Sequence, residues 1–277
     1  MYLGIDIGGT KTLAAVFNDQ GEVTEKVRFP TDQDYSKFLG NLERNLADLS
    51  VKDFEYCGVG MPASVLDRSR GQGISFGNLP WRNVPMRNDV ADLSGCPAVI
   101  ENDTKLAGLS EATLLKDTYR RVLYVTVSTG VGFAFVADGA IDTNFGDAGG
   151  RSLLLEHDGR MMPWEDFASG RAIVERFGKK ASEITDDTTW RQISHDLAQG
   201  LIMLIPTVQP EVIVVGGSVG THFEKYGGLL AEELAKYELP LVPLPGLIGA
   251  RRPEEAVIYG CYELIKQAES GDGSDHR

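Results

Sequence analysis

Residues 2–17 read YLGIDIGGTKTLAAVF. Two β-like runs lie on either side of the turn-forming stretch Gly8-Gly9-Thr10-Lys11. A third β-like run, at 23–29, follows another turn-forming stretch. The pattern predicts a meander, in which three consecutive strands pair antiparallel.

The same pattern returns over residues 121–136, where Ser128, Thr129 and Gly130 form the turn and a short third strand follows. Thr10 and Thr129 therefore occupy corresponding turns, 119 residues apart. Two similar units at this spacing indicate duplicated lobes rather than a solenoid of short repeats.

Helical and strand-like segments follow each meander. In the first lobe the patterns predict a helix at 31–49, a strand at 55–60, a loop at 62–87, a strand at 98–101 and a helix at 105–115. In the second half of the chain they predict helices at 170–178, 190–205, 222–236 and 253–268 and a strand at 212–215. We therefore expect an α/β fold of two lobes, each a mixed five-stranded sheet flanked by helices, with a ligand-binding cleft between the lobes.

Composition excludes several classes of function. The 277 residues are 42% apolar and 24% charged, as in a soluble globular protein, and carry a net charge of −13. This charge repels nucleic acids and anionic lipid surfaces, and we find no targeting or membrane-spanning segment. The three cysteines, at 57, 96 and 261, are too scattered for a disulfide framework, so we expect buried thiols and a cytoplasmic protein.

Both glycine-containing turns have the composition of phosphate sites. Backbone N–H groups of Gly8 and Gly9, the Thr10 hydroxyl and the Lys11 ammonium suit phosphate oxygens, and Asp6 can hold Mg²⁺ directly or through water. Neither a Walker loop nor a Gly-x-Gly-x-x-Gly motif is present at this turn. Each turn alone could equally be a plain hairpin. Together, at matching places in two lobes, they favour a polyphosphate held from both sides.

A third candidate is the junction Asn102-Asp103, between a predicted strand and a predicted helix. Asn, Asp and Thr are preferred helix N-caps, so simple capping is the alternative explanation. An oriented Asp103 carboxylate at this place could accept the proton of a substrate hydroxyl as its oxygen attacks phosphorus.

Six motifs, in order over most of the chain, are similar to those of the ROK sugar kinases, in the actin/hexokinase-like superfamily of two-lobed ATPases. They are Asp6-Ile7-Gly8-Gly9-Thr10-Lys11, Gly58-Val59-Gly60-Met61-Pro62, Asn78-Leu79-Pro80-Trp81, Asn102-Asp103, Ser128-Thr129-Gly130-Val131-Gly132 and residues 212–217. The resemblance implies two RNase H-like lobes, formed by 1–108 plus 254–277, where the C-terminal helix packs back, and by 109–253.

The resemblance also implies a role for each matching residue. Asp103 would be the general base, with Asn78, Asn102 and Glu165 on the sugar. The phosphates and Mg²⁺ of ATP would be held by Asp6, Gly8, Gly9, Thr10, Lys11, Thr129 and Gly130, with Gly217 beneath the adenosine. A homodimer would also fit, since relatives are commonly dimers.

One part of the chain departs from the family pattern. The stretch 146–152 replaces the Gly-Glu-x-Gly-His motif and lacks both Glu and His, and no cysteine lies between Cys96 and Cys261. Structural zinc is therefore not expected, and recognition of the sugar is expected to be altered. Glu156-His157-Asp158 could supply substitute contacts, although we favour a solvated turn there. His195 and His222 receive no role.

The sequence thus predicts an ATP-dependent kinase of a hexose or amino-hexose hydroxyl. The alternatives are a non-catalytic sugar-binding or regulatory relative without a DNA-binding domain, and a kinase with another acceptor or with polyphosphate as donor. An acidic chain with no visible track of Lys and Arg disfavours a long polyanion as donor. The identity of the sugar and of its hydroxyl stays open.

Overall fold

The computed structural model describes residues 1–237 and 242–271. The chain divides into two compact units, unit 1 from Met1–Ser110 and Glu255–Arg277 and unit 2 from Glu111–Glu254. The domain boundaries expected from the sequence stay a prediction. Residues 272–277, assigned above to the first domain, lie outside the described residues.

The elements of the first part of the chain begin with the expected meander. In order they are β1 (Tyr2–Ile7), β2 (Lys11–Phe17), β3 (Val23–Pro30), α1 (Tyr35–Asp48), β4 (Tyr56–Met61), β5 (Ala63–Asp67), β6 (Gln72–Phe76), β7 (Arg82–Val84), α2 (Met86–Ser94), β8 (Ala98–Asn102) and α3 (Asp103–Thr113).

Further along, the described elements are β9 (Arg121–Val127), β10 (Val131–Ala137), β11 (Ala140–Ile141), β12 (Leu154–His157), β13 (Arg160–Pro163), α4 (Glu165–Ala168), α5 (Gly170–Phe177), α6 (Asp187–Val208), β14 (Val212–Gly216), α7 (Gly217–Gly220), α8 (Phe223–Ala235) and β15 (Gly246–Gly249). The last helix, α9 (Ala256–Ser270), belongs to unit 1. None of the helices in these described residues is long and apolar enough to span a membrane.

Each unit contains one mixed five-stranded sheet, as predicted. The strand order is β3-β2-β1-β4-β8 in unit 1 and β11-β10-β9-β14-β15 in unit 2. In both sheets the first three strands pair antiparallel and the last three pair parallel. The first hairpin of each sheet carries one glycine-containing turn, so Thr10 and Thr129 lie in corresponding turns of the two sheets.

Strand β1 is covered on both faces, because successive side chains point to opposite sides of a strand. Leu3, Ile5 and Ile7 are fully buried in the larger core cluster of unit 1, while Tyr2 packs with residues of α9. Glycines let α9 approach closely: a Cβ atom added at Gly58 would lie 2.7 Å from the carbonyl oxygen of Cys261. All three cysteines are buried and unpaired with one another, as expected.

Residues 62–87 correct the prediction of a loop. They form a separate three-stranded sheet, β5-β6-β7, followed by the start of α2. The strands have only three to five residues, and bulges interrupt the pairing of β5 with β6. Short strands separated by glycine and proline lack the run of alternating side chains by which strands are recognised.

Several further elements were missed in unit 2, the short helices α4 and α7 among them. The hairpin β12–β13 forms where no strand was predicted, and β15 extends the main sheet at its edge. The sequence of β15, Gly-Leu-Ile-Gly, has four residues and is bounded by glycines, which are depleted in strands. β15 is a strand because its backbone pairs with the buried strand β14, although its composition does not favour a strand.

Candidate active site

The turn between β1 and β2 is held from within unit 1. Gly8 N–H donates to the Lys11 carbonyl and Thr31 N–H to the Thr10 carbonyl, both at 3.0 Å, and the Gln33 amide donates to the Gly9 carbonyl at 3.4 Å. The carbonyl oxygens of Gly9, Thr10 and Lys11 therefore accept hydrogen bonds from within unit 1. Thr10 and Lys11 remain exposed. This arrangement is suited to phosphate oxygens.

Asn78 lies next to this turn. A Cβ atom added at Gly9 would lie 2.9 Å from the Cβ of Asn78, so only glycine allows this approach. The Asn78 loop, between β6 and β7, is anchored by the buried Trp81, whose indole N–H donates to the Gln33 carbonyl at 3.0 Å. Asn78 itself is exposed. The turn predicted to bind phosphate and the loop predicted to bind sugar are therefore in direct contact with each other.

Asp6 and Asp103 lie at the carboxyl ends of parallel strands of one sheet. Asp6 pairs in register with Gly60, and Gly60 with Glu101, two residues before Asp103. Burial, and secondly the negative charge of Asp103, raise the pKa of the Asp6 carboxyl to about 7, while Arg28 opposes the rise. Two carboxylates that repel each other in this way create a place for a hard cation.

Asn102 has the capping role considered as the alternative above. Its Oδ1 accepts from Lys105 N–H at 3.1 Å and its Nδ2 donates to the Ala63 carbonyl at 2.9 Å. The residue is only 4% exposed. Asn102 thus holds the first turn of α3 and places Asp103, whose Oδ1 accepts from Thr104 N–H at 2.7 Å. A contact of Asn102 with sugar stays a prediction.

The corresponding turn of unit 2 is packed more tightly. Ser128 N–H donates to the Gly130 carbonyl at 2.9 Å, and Gly170 N–H donates to the Ser128 carbonyl at 2.6 Å. Gly217 has φ +81°, and a Cβ atom there would lie 2.5 Å from the Val127 carbonyl oxygen. A side chain at Gly217 would therefore displace the backbone that leads into the turn.

Glu165 supports this turn from behind. Its Oε2 accepts from Val131 N–H at 3.1 Å, and its Oε1 accepts from the Arg151 guanidinium at 2.8 Å. The residue is 5% exposed. Arg151 ends a 3₁₀ turn in the stretch that departs from the family pattern. The carboxylate predicted to bind sugar is therefore engaged by the protein, and its contact with sugar stays a prediction.

The segment Glu156-His157-Asp158 is only partly a solvated turn. Asp158 and Gly159 form the tip of the β12–β13 hairpin, both with positive φ. His157, however, stacks on Phe167 with ring centroids 4.1 Å apart, and its side chain is 13% exposed. We therefore correct the prediction for His157, whose ring is part of the packing.

A pocket of about 310 Å³ opens beside the second turn. It is lined by Ser128, Thr129, Gly170, Arg171, Val174, Lys180, Ala181, Ser182, Ser218, Val219 and His222. The lining includes two cationic side chains and a histidine but no carboxylate, in a chain with a net charge of −13. A pocket of this composition favours an anionic ligand with an apolar part.

Comparison with known proteins identifies the family. The sequence matches the model of the ROK family over residues 2–267. The chain belongs to the ROK family. A glucokinase of Streptomyces coelicolor is 23% identical over 96% of this chain and 98% of its own length, and an N-acetylmannosamine kinase of Salmonella arizonae is 27% identical over 90% and 96%.

Solved ROK structures have the same fold. A ROK family glucokinase from Streptomyces griseus, in complex with glucose and AMPPNP, superposes with a TM-score of 0.80 at 22% identity, over 96% of this chain and 99% of that one. The actin/hexokinase-like architecture expected from the motifs is thus confirmed. The family matches extend over both units of this ROK protein.

The predicted site residues of this ROK protein fall into two groups. Unit 1 brings together Asp6, Gly8, Gly9, Thr10, Lys11, Asn78, Asn102 and Asp103, whereas unit 2 holds Thr129, Gly130, Glu165 and Gly217. Residues 1–237 and 242–271 contain no cluster of three His, Cys, Asp or Glu side chains suited to a metal. The absence of structural zinc stays a prediction.

Sequence reasoning missed Arg171, Lys180 and His222. Arg171 lies two residues after Ser169, the N-cap of α5, Lys180 follows that helix, and His222 precedes α8. The one local signal was the Ala-Ser-Gly stretch at 168–170, which places a helix start beside the second turn. No spacing in the sequence indicates that three basic residues from different segments line one pocket.

Substitution of Gly130 tests the packing of the second turn. A Cβ atom at Gly130 would lie 2.2 Å from Oε2 of Glu165, so Gly130→Ala must displace either the turn or the carboxylate. We expect the KM for ATP to rise about tenfold or more, because small displacements of binding groups are costly. Gly228→Ala, in unit 2 with open space around its Cβ, is the control. Equal KM values for the two variants would contradict the packing argument.

Proposed function

We infer that this ROK protein is an ATP-dependent sugar kinase, which transfers a phosphoryl group to a hydroxyl of a hexose or an amino-hexose. The sugars named for its relatives, glucose and N-acetylmannosamine, belong to these two classes. The observation that carries the proposal is the position of Asp103, at the start of α3, beside Asp6 and in the same unit as the turn of Thr10 and Lys11.

Asp103 acts as the general base. Its carboxylate accepts the proton of the sugar hydroxyl as that oxygen forms a bond to the γ-phosphorus, while the bond from this phosphorus to the bridging oxygen of ADP breaks. The hydrogen bond from Thr104 N–H and the capping by Asn102 fix the direction of the carboxylate. Asn78, exposed beside Gly9, hydrogen-bonds the sugar.

The two glycine-containing turns bind the phosphates. In unit 1, the Gly9 N–H and the hydroxyl of Thr10 bind phosphate oxygens, and Lys11 adds a positive charge. Gly8, expected above to bind phosphate as well, instead shapes the turn, because its N–H donates to the Lys11 carbonyl. In unit 2, Thr129 and Gly130 bind phosphate oxygens of the nucleotide, and Gly217 permits close approach of the adenosine. Positioning and neutralisation of charge are the main contributions of a protein to phosphoryl transfer.

Asp6 fits the role of magnesium ligand. Asp6 is half-buried, and its carboxyl group lies near a second carboxylate. Mg²⁺ prefers oxygen ligands and commonly uses one or two carboxylates together with phosphates and water. Bound Mg²⁺ would neutralise negative charge on the phosphates. The Asp6 carboxylate could contact Mg²⁺ either directly or through a water molecule.

On the sugar side, the stretch 146–152 lacks the Glu and His that the resemblance implies, and it carries Arg151. This guanidinium pairs with Glu165 in the stretch that replaces Gly-Glu-x-Gly-His. A hydrogen-bonding set that differs from that of the family selects a different pattern of hydroxyls, because unmatched buried polar groups disfavour the wrong sugar. We therefore propose that the preferred acceptor differs from glucose.

The deciding experiment is an assay of ADP release with ATP, Mg²⁺ and a panel of hexoses and N-acetylhexosamines. Turnover with at least one sugar is expected. Sugar binding by calorimetry without any turnover would instead establish a regulatory or sugar-sensing protein, and turnover with polyphosphate alone would change the donor. Absence of both binding and turnover across the panel would overturn the proposal.

Lys180 provides a test of the pocket. Because an exposed cation near phosphate contributes about 1 kcal/mol, Lys180→Ala is expected to raise the KM for ATP about fivefold. The KM should also depend less on ionic strength than in the parent. The neighbouring Lys179, exposed and outside the lining, provides the control Lys179→Ala. An equal effect of both substitutions would show a general influence of surface charge and count against the pocket.

Two further predictions concern the state of the protein in the cell. The three buried, unpaired thiols are compatible with the reducing cytoplasm, which we propose as its location. A homodimer stays a prediction from the family.

A further inference from the structure

A buried ion pair joins Arg68 to Glu101. Arg68 Nε lies 2.7 Å from Glu101 Oε2, and Arg68 Nη2 lies 2.6 Å from Glu101 Oε1. Glu101 is fully buried, and the Arg68 side chain is 16% exposed. The two hydrogen bonds fix the relative orientation of the planar groups, as in other bidentate pairs of arginine with carboxylate.

The two residues come from different sheets of unit 1. Arg68 lies in the turn between β5 and β6, where its carbonyl accepts from Gly71 N–H at 3.3 Å. Glu101 lies in β8, and its Oε1 also accepts from the N–H of Asn102 at 2.6 Å. The pair therefore ties the three-stranded sheet to the strand end from which Asp103 follows.

A second tie runs between the same two elements. Asn102 Nδ2 donates to the carbonyl of Ala63, the first residue of β5. Ala63 and Arg68 lie at the two ends of one strand and its turn, so together the ties restrict both shift and rotation of the three-stranded sheet against β8. The same sheet carries the Asn78 loop between β6 and β7.

Stability alone does not account for such a pair. Taking two charges out of water is costly, and apolar replacements of similar volume are often equally stable. What apolar side chains lack is directional hydrogen bonding. We propose that Arg68, through Glu101, is a positioning residue that sets the Asn78 loop, and with it the sugar, relative to the Asp103 carboxylate. This inference rests on the proposed sugar kinase activity.

The test uses two variants that retain bulk in the core. Arg68→Lys keeps the charge but loses the bidentate geometry, and the double variant Arg68→Met, Glu101→Gln removes both charges. Arg70→Lys is the matched control, because Arg70 lies in the same turn with its side chain 75% exposed. For each protein, kcat and KM for sugar and for ATP, sugar-independent ATP hydrolysis, sugar affinity by calorimetry and circular dichroism are measured.

We expect both variants to fold, to lose about tenfold or more in kcat for the sugar and to raise its KM several-fold, with the KM for ATP and the rate of ATP hydrolysis within twofold of the parent. The control should match the parent. A purely structural role would lower phosphorylation and hydrolysis together. Parent-like kinetics in the two variants, such a parallel loss, or loss of folding in both would each overturn the proposal.

The two proposals fail differently. If the parent binds sugar without turnover, the kinase function fails, but Arg68→Lys should still weaken sugar binding several-fold in the calorimeter, since the Asn78 loop moves. Unchanged sugar affinity in that case would overturn the positioning role. A parent that neither binds nor phosphorylates sugar would overturn both.

Discussion

Replacement of Asp103 by asparagine is expected to lower kcat for sugar phosphorylation by about 10²–10⁴, because the amide cannot accept the proton of the hydroxyl. The fold should persist, since an asparagine Oδ1 can accept the hydrogen bond from Thr104 N–H that the aspartate accepts. Sugar affinity should change far less than kcat. The measurements are steady-state rates of ADP release and sugar binding by calorimetry.

Asp92→Asn is the control for Asp103→Asn. Asp92 is exposed on α2 of the same unit, so its replacement removes one negative charge without touching the site. Its kinetics should equal those of the parent. Turnover of Asp103→Asn at the parent rate would remove the general base from the mechanism, and with it the principal support for the kinase reaction.

Replacement of Asp6 by asparagine is expected to act in opposite directions on activity and stability. Activity at saturating ATP should fall at least about a hundredfold, because the carboxylate proposed to hold Mg²⁺ is gone. The metal-free protein, in contrast, should become more stable at pH 8 by about 2 kcal/mol. This value is below what the full shift of the pKa implies, since the side chain is partly exposed.

The sign of the stability effect follows from the pKa of Asp6. In the folded protein, burial and Asp103 raise this pKa to about 7, against the ordinary value of 3.8. Between these two values the folded protein binds more protons than the unfolded chain, so the free energy of unfolding falls as the pH rises. Above pH 7 the loss is complete. Asparagine does not titrate, so the variant avoids this loss.

Thermal unfolding in the presence of EDTA measures this effect. The midpoint of Asp6→Asn should exceed that of the parent by several degrees at pH 8, and the difference should shrink as the pH falls toward 4. Excess Mg²⁺ and ATP should stabilise the parent more than the variant. A variant that is less stable than the parent at pH 8 would contradict the assigned electrostatics of Asp6.

Both glycine-containing turns could be predicted from the sequence because the information that forms them is local. Strand-like runs on each side of Gly8-Gly9-Thr10-Lys11 fix a hairpin, and the hairpin fixes which residues lie at its tip. The same holds for Ser128-Thr129-Gly130 between β9 and β10. Asn102-Asp103 was also accessible, since a cap and the first helical residue are adjacent in the chain.

Contacts between distant segments left no comparable signal. Arg68 and Glu101 are 33 residues apart, and nothing in the composition of either segment pairs them. Glu165 matched the family motif, but its engagement by Arg151 depends on the folded path of residues 146–152. The prediction that Cys57, Cys96 and Cys261 are buried free thiols was confirmed. It did not depend on contacts between distant segments, because an isolated cysteine can be buried without a particular partner.

The return of α9 to unit 1 has a consequence for biosynthesis. Ile258 and Ile265 of α9 pack on Tyr2, Leu13 and Phe17, which lie on one face of the sheet that carries Asp6. While the nascent chain is still on the ribosome, the β-meander of unit 1 lacks a helix that is translated only after the whole of unit 2. Unit 2 is contiguous and can fold first, so the carboxylates of Asp6 and Asp103 reach their final setting only after α9 has been synthesised.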